Sequence, residues 1–387
     1  MGRWIVFVAV ALALIGGIHY YLWARLVRDT HIPAPWNGLA VGTLFVLAAS
    51  LPAALVLGRN RSSPLHLLVW PAYVWMGTMF LLFVAVLASD LVRAVVAGLA
   101  QGGLPPDPGR RTLVARIAAA AVASLTGGLA LAALRSALGP VAVRRVNVPL
   151  KRLPAAQHGF TIVQLTDLHV GPTIGRAFVE EIVRRANALE PDLVAITGDL
   201  VDGSVADLRE AVAPLGALRA RHGVFFVTGN HEYYAGVHDW LAEVARLGIR
   251  VLRNQRVSIG EGADSFDLAG VDDRSSSRHG GLDPAAALAQ ALEGRDPGRE
   301  LVLLAHQPRS FFDAAPFGVG LQLSGHTHGG QLFPFGLVVR LQQSFLAGLH
   351  RRDDSYLYVS RGTGYWGPPM RLGAPAEITQ IVLEAGV

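Results

Sequence analysis

The sequence predicts a four-helix transmembrane domain followed by an α/β sandwich, two packed mixed sheets with flanking helices. Three observations lead there. Charge is unevenly spread: residues 1–140 of the 387 hold 10 Lys/Arg and 3 Asp/Glu, and the rest hold 24 and 26. Within the first part, Trp4–Ala24, Thr30–Gly58, Ser62–Ser89 and Ile117–Leu134 carry no formal charge over 21, 29, 28 and 18 residues. From Phe160 onward, short β-rich runs alternate with amphipathic helical segments and become strand-rich late, the mark of sheets covered by helices.

Each element follows in turn. A helix crossing a hydrocarbon core of about 30 Å needs about 20 mostly apolar residues. Spans are therefore predicted near 4–23, 38–57, 67–89 and 115–135, inside a membrane domain of residues 1–140. No small-residue cleavage site follows the first span, and His19, Tyr20, Tyr21 and Trp23 read as an interfacial aromatic belt rather than the end of a signal peptide. Four spans put both ends of this domain on one side. That side carries Arg3, Arg59, Arg61, Arg135, Arg144, Arg145, Lys151 and Arg152; the other carries Arg25, Arg28, Arg93, Arg110, Arg111 and Arg116. Eight against six places the ends, and the domain that follows, on the cytoplasmic side of the cell (inner) membrane. No intramembrane acid–base pair of the kind a transport pathway uses is visible within the spans. Residues 141–158, with basic residues and prolines, read as a linker, and 159–387 as the second domain.

In that domain strands are expected at 160–165, 192–197, 223–228, 249–252, 265–271, 301–305, 320–323, 356–360 and 377–383, with helices at 176–189 and 206–221. The +5 net charge and pI of 9.9 do not point to nucleic acid, because the basic excess borders apolar runs instead of clustering on a folded face. Cysteine is absent, which removes disulfides, thiolate metal sites and cysteine nucleophiles.

The strands end in clusters of potential ligands. The first leads into Thr166-Asp167-Leu168-His169, the second into Gly198-Asp199-Leu200-Val201-Asp202, the third into Gly229-Asn230-His231-Glu232. Later strands lead into His306 and into Gly325-His326-Thr327-His328-Gly329-Gly330. Ligands of α/β sheets bind beyond the carboxyl ends of strands, so five such clusters converge. Carboxylate, amide and imidazole donors without thiolate suit Mn, Zn or Fe better than Mg. The set is larger than one ion uses, so two divalent metal ions are expected, suited to in-line phosphoryl displacement. Gly198, Gly229 and Gly325 precede ligands where the backbone must turn sharply or approach closely.

In order, Asp-x-His, Gly-Asp-x-x-Asp, Gly-Asn-His-Glu, a lone His and Gly-His-Thr-His resemble the pattern of the calcineurin-like metallophosphoesterases. The Gly-His-Thr-His-Gly-Gly-Gln ending resembles their bacterial membrane-associated branch. The resemblance implies that Asp167, His169 and His328 hold one metal, that Asn230, His306 and His326 hold the other, and that Asp199 bridges them. It implies a catalytic His231, not a ligand, beside the substrate phosphate or leaving group. The expected function is then a membrane-tethered, metal-dependent hydrolysis of a phosphate ester or pyrophosphate by in-line attack of a metal-bridging hydroxide. A phosphorylated lipid or a nucleotide-linked group is a candidate substrate, with the bilayer as partner and no nucleic acid. The alternative is a membrane sensor or accessory protein that binds a phosphorylated ligand without turnover.

Asp202 reads as a residue that orients a ligand or caps the next helix. His158, His222, His238, His279 and His350 fit no cluster. Arg361-Gly362-Thr363-Gly364 is either a phosphate-facing loop or a plain turn. Leu332–Val339, uncharged and carrying Phe333 and Phe335, is either a core strand over 336–339 or a hydrophobic lip dipping into the membrane interface.

Overall fold

The computed structural model describes residues 2–57, 67–99 and 107–386; Arg59 and Arg61, used in the topology count, lie outside them. Contacts divide the chain into two units, Met1–Arg135 with Gly367–Met370, and Ser136–Trp366 with Arg371–Val387.

The first unit is helical. Helix α1 (Gly2–Trp23) runs on through a π-helical turn to Arg28, followed by α2 (Trp36–Leu57), α3 (Val69–Leu99) and α4 (Pro108–Leu138). All four are long and apolar enough to cross a membrane. Leu22, Leu51, Met79, Leu82, Val86 and Val122 form their shared core, while Phe45, Leu91 and Leu99 point outward, as lipid-facing side chains do. The third and fourth helices are longer than the uncharged stretches, because helix continues through Asp90 and Arg93, and through Arg110, Arg111 and Arg116. A consequence is an acid–base pair that the shorter predicted spans exclude: Asp90 accepts from Arg25 Nε at 2.7 Å and from the Tyr21 hydroxyl at 2.6 Å. Each charge is thereby compensated near a helix end.

The second unit holds two six-stranded sheets. In chain order the strands are β1 (Ala142–Leu150), β2 (Thr161–Leu165), β3 (Leu193–Ile196), β4 (Val224–Phe226), β5 (Arg250–Val251), β6 (Gln255–Ile259), β7 (Phe266–Gly270), β8 (Leu301–Leu304), β9 (Leu321–Ser324), β10 (Gly348–Arg352), β11 (Ser355–Val359) and β12 (Glu377–Ala385). One sheet has the order β1-β12-β2-β3-β4-β5 and the other β10-β11-β9-β8-β7-β6. Parallel pairing dominates: β2–β5 are parallel in one sheet and β7, β8, β9 and β11 in the other. Parallel strands need cover on both faces. Between the sheets lie Ile162, Ala195, Phe225, Leu268, Val302, Leu304, Leu323 and Ile381.

Outside them are α5 (Arg176–Asn187), α6 (Val205–Val212), α7 (Asn230–Ala235) and α8 (Val237–Arg246), then α9 (Pro284–Leu292), α10 (Ser310–Ala314) and α11 (Gly336–Gln342). Ile182, Leu208, Val212, Trp240 and Val244 pack on the first sheet, and Leu288, Ala291 and Ala314 on the second.

Three readings change. Residues 142–150, taken as linker, form β1, paired in parallel with β12 from Ala142↔Glu377 to Leu150↔Ala385. Val148 and Leu150 reach the core while the first four residues stay exposed. The helix expected over 206–221 is shorter: α6 ends at Val212, and Pro214 opens a 3-10 turn to Ala217 because it has no N–H to continue the α ladder. Finally, 336–339 is not a core strand. It begins α11, on which no residue is buried; Leu337 is 61% and Leu341 85% exposed.

Candidate metal centre

Strands β2, β3 and β4 of one sheet and β8 and β9 of the other deliver every proposed site residue at their carboxyl ends. The backbone there is unusual. Asp167 (φ 53°), His169 (50°), Asp199 (52°), His326 (72°) and His328 (51°) all adopt left-handed conformations. Each costs a non-glycine residue roughly 1–3 kcal/mol, and such strain persists only where surroundings over-determine it. Two glycines make room. At Gly198 (φ 91°) a Cβ would stand 2.5 Å from Gly229 N and 2.8 Å from His306 Nδ1; at Gly325 it would collide with the Asp167 carboxylate and the Thr166 hydroxyl.

Three groups of donor atoms lie within 4.8 Å of one another among the described residues: Asp167 with His169 and His328, Asp199 with His306 and His326, and His169 with Asp199 and His231. The hydrogen bonds around them show what the donors lack. His306 Nδ1 is 2.8 Å from the Thr197 carbonyl, which can only accept, so Nδ1 carries the proton. The bare Nε2 then faces Asp199 Oδ2 at 3.0 Å and His326 Nδ1 at 3.2 Å. His169 repeats this. Its Nδ1 donates to Asp202 at 2.8 Å, leaving Nε2 facing His328 Nε2 at 3.1 Å and Asp199 Oδ2 at 3.8 Å. Asn230 adds a buried Oδ1 with no hydrogen-bond partner. Lone pairs converging in a buried space need a proton or a cation between them. The donor set therefore fits metal ions.

Without metal, protons take that role. Burial works upward on Asp199, yet the charges of His306 and His231 outweigh it and hold its carboxyl well below the ordinary value. Burial opposes the charge on His306, but Asp199 and Asp167 raise it well above a free imidazole. His328 goes the other way, lowered by burial and then by the charge of His169.

His231 stands slightly apart. Its N–H donates to Asp199 Oδ1 at 2.9 Å, its Nδ1 meets Asp202 Oδ1 at 2.7 Å, and its side chain keeps 17% of its exposure. Burial opposes its charge, but Asp199 and Asp202 push it up to about 9.

Residues 160–330 match the family described as calcineurin-like phosphoesterase. A Bos taurus protein described as a transmembrane protein with metallophosphoesterase domain is 39% identical over 97% of this chain and 88% of its own. The chain belongs to the calcineurin-like metallophosphoesterases. An uncharacterized metallophosphoesterase of Campylobacter jejuni is 30% identical over 98% of both chains. Other relatives are matched in part: the chain spans 61% of a Danio rerio transmembrane metallophosphoesterase and 59% of a Helicobacter pylori metallophosphoesterase. Among solved structures, a dimetal phosphatase from Danio rerio aligns over 53% of this chain and 88% of its own, at 13% identity and a TM-score of 0.35. The protein is thus a metal-dependent phosphoric ester hydrolase and, with its four apolar helices and a transmembrane relative along nearly its whole length, a membrane protein.

Two residues that support this metallophosphoesterase site went unassigned from sequence. Glu232 is buried, and its carboxylate accepts the N–H groups of Gly229 (2.6 Å), Leu200 (2.7 Å) and Asp199 (3.1 Å), tying together the segments that follow β3 and β4. Its place at the end of the Gly-Asn-His-Glu motif is the sequence signal that marks it. Arg371 is fully buried and donates to the carbonyls of Gly364, Ala374 and His328; nothing in its sequence neighbourhood marks it. The segment 361–364 serves as a brace: Thr363 and Gly364 N–H donate to the Thr166 and Asp167 carbonyls, and Arg361 pairs with Glu377 at 2.9 Å. His158, His222, His238, His279 and His350 belong to none of the three donor groups.

Proposed function

We propose that the chain is a membrane-tethered phosphoesterase that holds two divalent ions and cleaves a phosphate ester or pyrophosphate in line. The observation that carries this reading is the convergence of bare imidazole nitrogens and two carboxylates in one buried space, with the Asn230 Oδ1 beyond β4 buried and without a hydrogen-bond partner. Asp167, His169 and His328 would hold one ion, Asn230, His306 and His326 the other, and Asp199 both. The abundance of imidazole favours Mn, Zn or Fe over Mg. When bound, the ions supply Lewis acidity toward phosphoryl oxygens and lower the pKa of water.

The chain's own residues do the rest. Thr197 and Asp202 hold two imidazoles in the tautomer that presents a lone pair. Asp202 Oδ1 meets His231 Nδ1 at 2.7 Å and orients the imidazole so that it can give a proton to the departing oxygen. The donor set for two ions is complete, where a sensor that binds without turnover is free to lose ligands, and this favours the enzyme over the accessory reading.

The membrane domain ends near residue 140 in this proposal, and β1 assigns 142–150 to the catalytic domain. The Arg/Lys count supports cytoplasmic placement at the inner membrane. The exposed apolar side chains of α11 and of Phe333 favour a lipid-borne phosphate as substrate.

The test is a substrate panel on the detergent-solubilised full chain loaded with Mn²⁺, Zn²⁺, Fe²⁺ or Mg²⁺, using phosphomonoesters, phosphodiesters and lipid pyrophosphates. Turnover of at least one class, lost on chelation and restored by Mn²⁺, Zn²⁺ or Fe²⁺, is expected. Tight phosphate binding with no turnover of any class would overturn the enzyme reading.

A further inference from the structure

We infer that Tyr234 and Trp366 form the surface that receives the leaving group, and that it selects an apolar one. This rests on the reading that phosphate binds at the metal centre and its leaving group departs past His231.

Both rings stand edge-on to the His231 imidazole, Tyr234 at 5.4 Å with 63° between planes and Trp366 at 5.7 Å with 75°. His231 also meets the His169 ring at 4.6 Å. The imidazole is thus in contact both with a proposed ligand and with two aromatic rings. Both are exposed, Tyr234 by 65% and Trp366 by 54%. Scattered exposed apolar residues are ordinary; two large rings against one catalytic imidazole are a local arrangement.

Their positions are built, not incidental. Tyr234 follows His231 by three residues on α7, so both side chains share one helix face. Trp366 is held through its main chain by one amide side chain: Gln331 Nε2 donates to the Trp366 carbonyl at 2.9 Å, and Trp366 N–H donates to Gln331 Oε1 at 2.9 Å. Gln331 itself follows His328 by three residues and adopts a left-handed backbone (φ 46°). The Trp366 main chain is thus tied to the segment that carries a proposed ligand.

The charges nearby decide what kind of group fits. Arg361 and Arg371, the basic residues flanking this loop, are committed: Arg361 to Glu377, Arg371 to three main-chain carbonyls. Neither offers itself to a second anionic group beyond the scissile phosphate. With both guanidinium groups committed, the exposed rings suit an aryl or nucleobase ring, or an alkyl chain.

The test separates binding from turnover. The Mn²⁺-loaded full chain in detergent is titrated calorimetrically with methylphosphonate, phenylphosphonate and n-butylphosphonate. Phenyl- or butylphosphonate is expected to bind about tenfold tighter than methylphosphonate; preference for phenyl marks a planar leaving group, preference for butyl a chain. Trp366→Ala and Tyr234→Ala should each shrink that ratio severalfold, and Trp366→Phe should keep most of it. Equal binding of all three by the wild type, or a preference that survives both alanine variants, overturns the inference. So does loss of methylphosphonate binding in step with the others, which would make Trp366 a brace for the His328 loop. Absence of turnover in the substrate panel bears on the enzyme reading alone, since no step here requires hydrolysis.

Discussion

The Asp202 carboxylate meets the His231 imidazole at 2.7 Å, and the same oxygen takes the Nδ1 proton of His169 at 2.8 Å. One atom thus orients a proposed metal ligand and the proposed proton donor together. Burial works against its charge, but His169 and His231 hold Asp202 at about 2, so it stays anionic throughout the working range. Asp202→Asn keeps the shape and removes the charge. Metal affinity should fall about 10–100-fold, and kcat should fall with it even at saturating metal. Metal titration alongside kinetics checks both; a loss in only one would split the shared role.

Asp199→Asn should abolish activity and reduce bound metal. Asp199 Oδ2 is 3.0 Å from His306 Nε2 and 3.8 Å from His169 Nε2, so it faces donors of both proposed ions. Elemental analysis of the purified variant is the measurement, and two ions retained with near-normal turnover would refute bridging.

His231→Ala should leave metal content intact and lower kcat about 10²–10⁴-fold for a poor leaving group, the usual range for a lost general acid. An activated aryl leaving group needs less protonation and should lose less. If the variant instead loses metal, His231 is a ligand, as its place in the group with His169 and Asp199 allows.

The clusters of potential ligands are visible in the sequence because each directly follows a short buried strand, and a strand end fixes where its next residues go. The roles of the supports are not. Glu232 sits in a visible motif and Arg371 in none, and both act on main-chain N–H and C=O groups, so their roles are not written in side-chain spacing. The strands missed, β1, β6 and β10, are all sheet edges. Edges carry charge and proline to discourage further pairing, so Arg144, Arg145 and Pro149, or Arg351 and Arg352, read as loop. The membrane helices were legible as apolar runs but not in length, since helix persists through charged residues where Arg25 and Asp90 compensate each other. Residues 336–339 were ambiguous because a short apolar run has no decisive period.

The metal-free protein should lose stability as pH rises from about 6.5 to 9. After chelation, His231 has a folded-state pKa raised from 6.5 to about 9 by Asp199 and Asp202 against the effect of burial. A base whose pKa rises on folding stabilises fully below its unfolded value, and that contribution disappears as pH climbs through the folded one. The shift corresponds to at most about 3 kcal/mol. His306, also raised, adds in the same direction. Thermal melts of the chelated full chain across this range should slope downward, and His231→Gln should flatten the slope. A flat wild-type profile would remove the proposed charge pairing.

The apolar segment after the metal centre decides between two pictures by stability alone. Phe333 is 66% and Phe335 44% exposed, and α11, which follows, buries none of its side chains. Serine at both positions should therefore shift the melting temperature by no more than about 2 °C, because exposed substitutions stay within about ±0.5 kcal/mol each. Had these rings been core, each truncation would cost about 3–5 kcal/mol and the midpoint would drop by about ten degrees or more. The double variant in reconstituted vesicles then reports on the lip. If the segment enters the interface, turnover of a membrane-borne phosphate falls relative to that of a soluble ester, since the side chains that partition into the headgroup region are gone. An unchanged ratio at an unchanged melting temperature would remove the lip as well.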